Sequence, residues 1–450
     1  QQDGDGNVLL RVRNGDVIRF DDTGLILKLS DKVVAELRDR LLTPIDTTLL
    51  GDVDAWGLRQ SNNWYFFDAN LPGVVGARGY RRKVSGGDII AETPGPVLGV
   101  LGLGGARRAQ AFPGRGAFPH HVVSPADEVG AVGLAGIEPA SAVDKAQLLR
   151  EQNPESLLAA EILKLRQNSG RGLPLILART ETDQSASVAD LGKSMAFANL
   201  VQAARNLQSL ASSLGKEAKL QAISIDFSQE DVRTPEAEFA PAMRSLLDKL
   251  SKALWQLGFS TPTVLAMFDD SLPGRRQAQW DLALTPGNYG PVFSIPSYAL
   301  VMDEFARLNE EAMQQRAATD AVALWEIEAG RGWQCPLFLL AEWDGKKRIR
   351  LRSNAMQPLE IDKNDPFGAG PGAGLRLKGL AGEEIITAVS VDPKEPRDLL
   401  IDLANKVPKN GLRLSYAWGG PGAIRDAWQH PFGASVRRWA LPAQLEVHGG

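Results

Sequence analysis

Short apolar runs in the middle of the chain constrain its fold more than any other feature of the sequence. They lack the polar alternation of strands that face water on one side, which is typical of strands covered on both faces. Helical stretches separate them, and this strand–helix–strand order predicts a parallel sheet with crossover helices. The runs occupy residues 97–103, 173–178, 220–227, 263–268 and 292–295.

Two long amphipathic segments are the clearest of the predicted helices. Residues 235–257 place their large apolar side chains on one stripe, with Pro235 suited to the first turn and Gly258 just past the last. Residues 188–214 show the same pattern. We therefore predict an α/β domain over residues 91–330, in which a doubly wound parallel sheet carries helices on both faces.

The first 90 residues are predicted to form a small β-rich region with one helix. Asn14-Gly15, a strong hairpin signal, separates apolar segments at 8–12 and 17–20. Residues 30–42 have the pattern of a short amphipathic helix. A helix of this length is marginal alone, so it docks either on its own domain or on a partner subunit.

Residues 331–450 change to a period of two. Ile349 and Leu351 alternate with Arg348 and Arg350, and the same alternation recurs in later segments. Turn signals separate these segments at short intervals. The pattern indicates half-buried antiparallel strands, and we expect a C-terminal antiparallel β-sandwich.

Charge and composition exclude several functions. The chain has 50 Lys and Arg against 54 Asp and Glu, a net charge of −4, which argues against a nucleic-acid or anionic-membrane partner. A single cysteine, Cys335, excludes a disulfide framework, and four histidines leave little for a metal cluster, so we expect neither metal nor cofactor. No signal peptide is visible in the polar N-terminus, so surface display would need a carrier such as a virion.

The segment Gly102-Leu103-Gly104-Gly105 follows an apolar run and invites comparison with a dinucleotide-binding loop. That fingerprint needs a third glycine where this chain has Arg107. We therefore predict a tight turn between strand and loop, and no nucleotide site.

The histidines are not placed like a catalytic or metal-binding group. His120 and His121 are neighbours in a loop rich in Pro and Gly, so their side chains face different directions. His430 and His448 fall in the predicted sandwich. We expect these side chains at the surface.

Carboxylates gather at the predicted strand ends, which line the ligand crevice of an open α/β sheet. Paired carboxylates there would serve glycosyl transfer or hold a cation. The alternative is that such loops are polar in any case and that Asp residues cap helices. The candidate cleft comprises Arg179, Glu181, Asp183, Asp226, Gln229, Glu230, Asp231, Asp269 and Asp270.

Six segments, taken in order, form a recognisable series: GKSMAFANL at 192–200, AISIDFSQED at 222–231, the apolar run at 262–268, LRLSYAWG at 412–419, GAIRD at 422–426 and WALP at 439–442. Together they resemble a family of SGNH-type esterases, the sialate O-acetylesterase-like proteins of phages, prophages and bacteria. The resemblance extends over residues 91–450.

The resemblance implies ester hydrolysis by a Ser nucleophile, a His base and oxyanion donors that follow successive strands. The family's nucleophile motif, Gly-Gln-Ser, corresponds here to Gly102-Leu103-Gly104, which has no hydroxyl group. Its glycine-rich oxyanion segment corresponds to residues 179–182, where side chains would block close backbone approach.

The histidine-bearing motifs of the family are also lost. His-Gly-Glu, which closes the third strand, corresponds to Phe227-Ser228-Gln229, and the late Asp-Gly-Val-His is absent. These losses together predict an SGNH-like scaffold that lacks catalytic residues.

From this resemblance we expect a structural or receptor-binding component, of fibre, spike or baseplate type, at the surface of a phage or phage-like particle. Its partners would be other particle subunits, including copies of itself in a homo-oligomer, and host polysaccharide; residues 1–90 would anchor it. One alternative is an active carbohydrate esterase or glycosidase that acts on cell-surface polysaccharide through Asp226, Glu230 and Asp269. Another is a purely architectural subunit that binds no ligand.

Overall fold

The computed structural model describes residues 8–11, 17–21, 24–31, 50, 53–226, 234–287, 289–379, 382–406, 411–432 and 435–449. Three predicted features lie outside these residues: the Asn14-Gly15 turn, nearly all of the helix at 30–42, and the segment that carries Phe227, Ser228, Gln229, Glu230 and Asp231.

Two antiparallel sheets come first along the chain. The first has three strands, and its first two pair antiparallel. The second has four strands and a buried core that includes Phe67 and Tyr80. The strands are β1 (Val8–Arg11), β2 (Val17–Asp21), β3 (Gly24–Lys28), β4 (Ala55–Ser61), β5 (Trp64–Ala69), β6 (Arg78–Lys83) and β7 (Ile90–Ala91).

A seven-stranded sheet follows, and its strands are parallel except at the β11 edge. In spatial order they are β11 (Ala146–Leu148), β10 (Val122–Pro125), β13 (Ile176–Thr182), β8 (Val97–Gly104), β14 (Ala218–Ile225), β15 (Thr263–Phe268) and β16 (Val292–Pro296). A separate two-stranded sheet pairs β9 (Phe112–Pro113) with β12 (Glu151–Gln152). The strands that follow β8 along the chain first fill one side of it (β10, β11 and β13) and then the other (β14, β15 and β16). The end of β8 is therefore the switch point at which such sheets bind ligands.

Helices cover both faces of this sheet. A Cβ at Gly99 of β8 would meet Leu207, whereas one at Gly102 would meet Glu155. Positions an odd number apart in a strand point to opposite faces, so the helices that carry Leu207 and Glu155 lie on opposite sides. The helices are α1 (Pro154–Asn168), α2 (Val188–Leu191), α3 (Met195–Ser213), α4 (Glu236–Gln256), α5 (Pro273–Leu284) and α6 (Glu310–Glu328).

The predicted parallel α/β architecture is confirmed, and α1 and α6 pack against each other. The helix predicted at 188–214 is instead two helices, because the Ser194 hydroxyl caps a new start by accepting a hydrogen bond from the Phe197 N–H (3.3 Å). None of the described helices combines the length and the apolar character needed to cross a membrane.

Strand β13 runs further than the sequence predicted. The apolar run ends at Ala178, and Arg179 and Glu181 were expected near the loop after it. The strand instead continues to Thr182, and both charged side chains are buried within it. They remain there because they pair with each other at 2.7 Å.

The last part of the chain forms an eight-stranded sheet in which the neighbours Phe338–Trp343 and Ala443–Gly449 run parallel and the other neighbours are antiparallel. The period-two prediction is confirmed in the strand Arg348–Ser353, where Ile349 and Leu351 are buried and Arg348 is exposed. β19 (Leu359–Ile361) and β25 (Ile424–Asp426) pair separately. The eight strands in spatial order are β21 (Gly382–Glu384), β20 (Leu375–Gly379), β24 (Arg413–Tyr416), β26 (Ala443–Gly449), β17 (Phe338–Trp343), β18 (Arg348–Ser353), β23 (Leu399–Leu403) and β22 (Ile386–Val391).

Candidate functional site

Five buried charged residues form a continuous chain of ion pairs at the switch point. Arg108, which follows β8, lies 3.0 Å from Glu155 of α1 and 3.3 Å from Asp226, which follows β14. Arg316 of α6 lies 2.8 Å from Asp226 and 3.7 Å from Asp320. We call this chain the Arg108–Arg316 network. Through it Asp226, predicted to line a ligand cleft, is bound by two arginines.

The carboxylate at each end of the network accepts a hydrogen bond from a hydroxyl group. The Thr180 hydroxyl donates a hydrogen bond to Glu155, and the Ser294 hydroxyl donates one to Asp320. Buried charges are tolerated when they are paired and hydrogen-bonded. Each of the three carboxylates pairs with at least one arginine, and Glu155 and Asp320 also accept a hydrogen bond from a hydroxyl group.

Burial and the arginines act in opposite directions on the pKa values of the carboxyl groups. Burial raises the pKa of Glu155 and that of Asp320, while Arg108 acts against this at Glu155 and Arg316 at Asp320. At Asp226 burial also raises the pKa, but Arg108 and Arg316 together outweigh it and hold the pKa below its usual range. Asp226 is therefore a fixed anion, unsuited to proton transfer at neutral pH.

Two glycines of β8 make room for the network. A Cβ at Gly102 would overlap the Glu155 carboxylate, and one at Gly104 would lie 2.8 Å from Cγ of Arg108. Both glycines, with Leu103 between them, lie inside the strand, and the turn predicted at this motif begins at its last residue, Gly105. The glycines are needed because buried side chains approach the backbone closely.

The two carboxylates that follow β15 are paired as well. Asp269 is 2.8 Å from Arg107, and Asp270 is 2.5 Å from Arg276. The backbone N–H of Gly419 also donates to Asp270, at 2.7 Å. Burial raises the pKa of Asp270 to about 7, although Arg276 acts to lower it.

Three other predicted cleft residues, Arg179, Glu181 and Asp183, lie on the β13 side of the switch point. Arg179 contacts Glu181 and also Asp127, the latter at 3.2 Å. Burial raises the pKa of Glu181, with Arg179 opposing the change. Asp183 accepts hydrogen bonds from the backbone N–H groups of Ser185 and Ala186, at 3.0 and 3.1 Å, which is a local turn contact.

A loop at residues 300–308 helps to close the site. Arg107 donates to the carbonyl of Ala306 (2.7 Å), and the Gln110 amide donates to the carbonyl of Leu308 (2.8 Å). The cavity that Leu308 and Met313 line together with the network has a volume of about 10 Å³. This is close to the minimum that holds one water molecule. In the described part of the site, the strand ends are therefore filled with side chains.

Four residues of the network were not predicted as site residues from the sequence: Arg108, Glu155, Arg316 and Asp320. A signal was present in α6, where Arg316 and Asp320 stand four residues apart in a stretch rich in alanine. Polar side chains on such a buried helix face need partners, which here come from other elements.

The prediction of surface histidines is wrong at two positions. His121 and His430 are each only 5 % exposed, and His120 is half-buried, whereas His448 is exposed as predicted. His121 lies at the start of β10, where its Nδ1 contacts the carbonyl of Pro174 (3.2 Å). Among the described residues, no group of three or more His, Cys, Asp or Glu side chains is arranged to hold a metal ion.

The burial of His121 predicts a loss of stability in acid. Burial lowers its pKa to about 4, below the usual 6.5, so between these values the unfolded chain binds a proton that the folded chain does not. The stabilisation is complete above pH 6.5 and falls by roughly 2–3 kcal/mol as the pH decreases to 4.

Urea unfolding at pH 7 and pH 4.5 tests this prediction. The His121→Asn variant should lose less stability between the two pH values than the native chain. His448→Asn, which removes an exposed histidine, is the control and should keep the native pH dependence. Equal pH dependence in native chain and His121→Asn would contradict the assignment.

Comparison with known proteins gives structural similarities at low sequence identity. No protein-family model matches the sequence, and no curated protein matches it. A carbohydrate acetylesterase from Xanthomonas citri is similar in structure, with 12% identity over 84% of this chain and 86% of that one and a TM-score of 0.49. A protein from Arabidopsis thaliana shows 10% identity over 51% and 99% of the two chains, with a TM-score of 0.36.

A bacterial S-layer protein shows 13% identity over 49% of this chain and 20% of that one, with a TM-score of 0.21. Because each of these TM-scores is below 0.5, none of the similarities establishes the fold or the function of this chain.

Proposed function

We propose that the chain is a non-catalytic structural or receptor-binding component of a phage or phage-like particle, built on an esterase-like scaffold. The observation that carries this proposal is the Arg108–Arg316 network, which occupies the switch point of the parallel sheet. A hydrolase of this architecture would need its nucleophile, base and substrate at that point.

The network is unsuited to catalysis for two physical reasons. Ester hydrolysis needs space for the acyl group beside a nucleophile and oxyanion donors, and the cavity here is about 10 Å³. Glycoside hydrolysis needs one carboxylic acid and one carboxylate facing a shared space. Asp226 and Asp269 instead face arginine side chains.

The particle role rests on the resemblance of residues 91–450 to sialate O-acetylesterase-like proteins of phages. In this proposal residues 1–90 anchor the chain, residues 91–330 form the scaffold, and residues 331–450 form a β-sandwich. The subunit works in a homo-oligomer at the virion surface and contacts other particle subunits, with host polysaccharide as its ligand. The near-balanced charge of the chain suits protein neighbours.

Hydrolysis assays test the absence of catalysis. The purified chain is incubated with an aryl acetate, an O-acetylated polysaccharide and a plain polysaccharide, and released acetate and reducing ends are measured. We expect release no faster than with Glu230→Gln or with buffer. Turnover by the native chain that is lost in Glu230→Gln would overturn the proposal in favour of an active enzyme.

A further inference from the structure

A second opening lies where the four-stranded N-terminal sheet meets the β11 edge of the central sheet. We call it the β6–β11 groove, and its volume is about 300 Å³. This is at the lower end of the range for small-molecule sites. It shares no lining residue with the filled switch-point cavity.

Hydrogen bonds and an ion pair hold the two walls of the groove together. The Asp88 carboxylate accepts a hydrogen bond from the backbone N–H of Leu148 (2.7 Å), and Lys83 lies 3.1 Å from Asp144. The turn after β6 is thereby fixed to β11. The groove is preformed, which reduces the entropy lost when a ligand binds.

The inner lining of the groove is apolar. Trp64 and Ile90 are both buried, at 7 % and 2 % exposure, and both line the opening. Cationic groups flank the indole of Trp64, with the Arg81 guanidinium 5.3 Å and the Lys83 ammonium 5.5 Å from the ring centre. These cation–π contacts fix the ring in place.

The rim carries charged groups that are free to bind. Lys145, Arg150 and Glu128 are exposed, and their side chains form no ion pair or hydrogen bond with any residue that the structure describes. Gln147 adds an amide to the same lining. The groove therefore offers two cations, a carboxylate and an amide around an apolar interior.

We propose that the β6–β11 groove binds an acidic sugar, a residue of an oligosaccharide that carries a carboxylate. Arg150 and Lys145 would take the carboxylate through charge-assisted hydrogen bonds. Glu128 would accept hydrogen bonds from the sugar hydroxyl groups, and the Gln147 amide would donate hydrogen bonds to them or accept from them. The apolar lining would cover a face of the sugar ring.

This combination favours a sugar acid over an acidic peptide. A peptide has neither the ring hydroxyl groups that Glu128 and Gln147 would bind nor a ring face to cover the apolar lining. A neutral sugar would leave Lys145 and Arg150 without their charged partner. The proposal holds whether or not the switch point is catalytic and whether or not the chain belongs to a particle.

Titration calorimetry of the full chain with trigalacturonate tests the proposal. The methyl ester of the same trisaccharide is the neutral probe, and triglutamate is the acidic peptide probe. We expect trigalacturonate to bind at least tenfold more tightly than either. Lys145→Met and Arg150→Met should each weaken its binding by roughly tenfold or more, since each removes a charge-assisted hydrogen bond.

Lys252→Met and Arg205→Met are matched controls, because they remove the same charges from exposed positions on α4 and α3. Both should bind trigalacturonate like the native chain. Undetectable trigalacturonate binding, equal affinity for the ester or for triglutamate, or native affinity in both groove variants would each overturn the proposal.

Discussion

Replacing Arg316 with methionine is expected to lower the free energy of unfolding by about 3–5 kcal/mol. The side chain is 3 % exposed and contacts both Asp226 and Asp320. Without the guanidinium, the partners left among the described residues are Arg108 for Asp226 and the Ser294 hydroxyl for Asp320. The large loss comes from leaving buried negative charge without compensation, more than from the contacts themselves.

The measurement is urea unfolding of native chain and variant, followed by tryptophan fluorescence. Arg348→Met is the matched control. Arg348 lies 2.6 Å from Asp402, but its guanidinium is half-exposed, so in the variant water solvates Asp402 in place of the guanidinium. The control should unfold close to the native midpoint. If the two variants were equally stable, the network would not be the buried cluster that the structure shows.

Replacing Gly102 with alanine is expected to cost about 2–4 kcal/mol, although the change adds a single methyl group. The new Cβ would overlap the Glu155 carboxylate, which is fully buried between Thr180 and Arg108. Either the carboxylate moves away from its partners or the strand moves away from α1. Both changes disturb the network.

Gly274→Ala is the control for this substitution. A Cβ at Gly274 meets nothing within 4 Å, and the residue lies in the first turn of α5, so alanine should leave stability unchanged or raise it slightly. A double-mutant cycle adds specificity: in a Glu155→Ala background, Gly102→Ala should cost much less. An unchanged cost in that background would show that the glycine is needed for another reason.

The fold was predictable where local pattern and burial agree. The strand at 263–268 and the helix at 235–257 were placed to within a residue or two, since long apolar runs, Pro235 and Gly258 mark their limits. The end of β13 was not predicted correctly. The buried positive charge of Arg179 in this strand is balanced partly by Asp127, which is 52 residues away along the chain. Local sequence carries no sign of such a partner.

The candidate site was predictable in position and not in chemistry. The sequence reasoning placed Asp226 and Asp269 after their strands, and the structure shows them there. Which cations face them depends on how Arg107, Arg108 and Arg316 pack around the switch point. The sequence alone does not distinguish a strand-end carboxylate that faces a ligand from one that faces an arginine.

Acetate release from O-acetylated polysaccharide by the native chain measures whether the filled switch point carries out any chemistry. We predict a rate equal to that of buffer and of Glu230→Gln, with no dependence on substrate concentration. A rate that saturates with substrate and disappears in Glu230→Gln would show that the strand ends open to substrate, and would contradict the account.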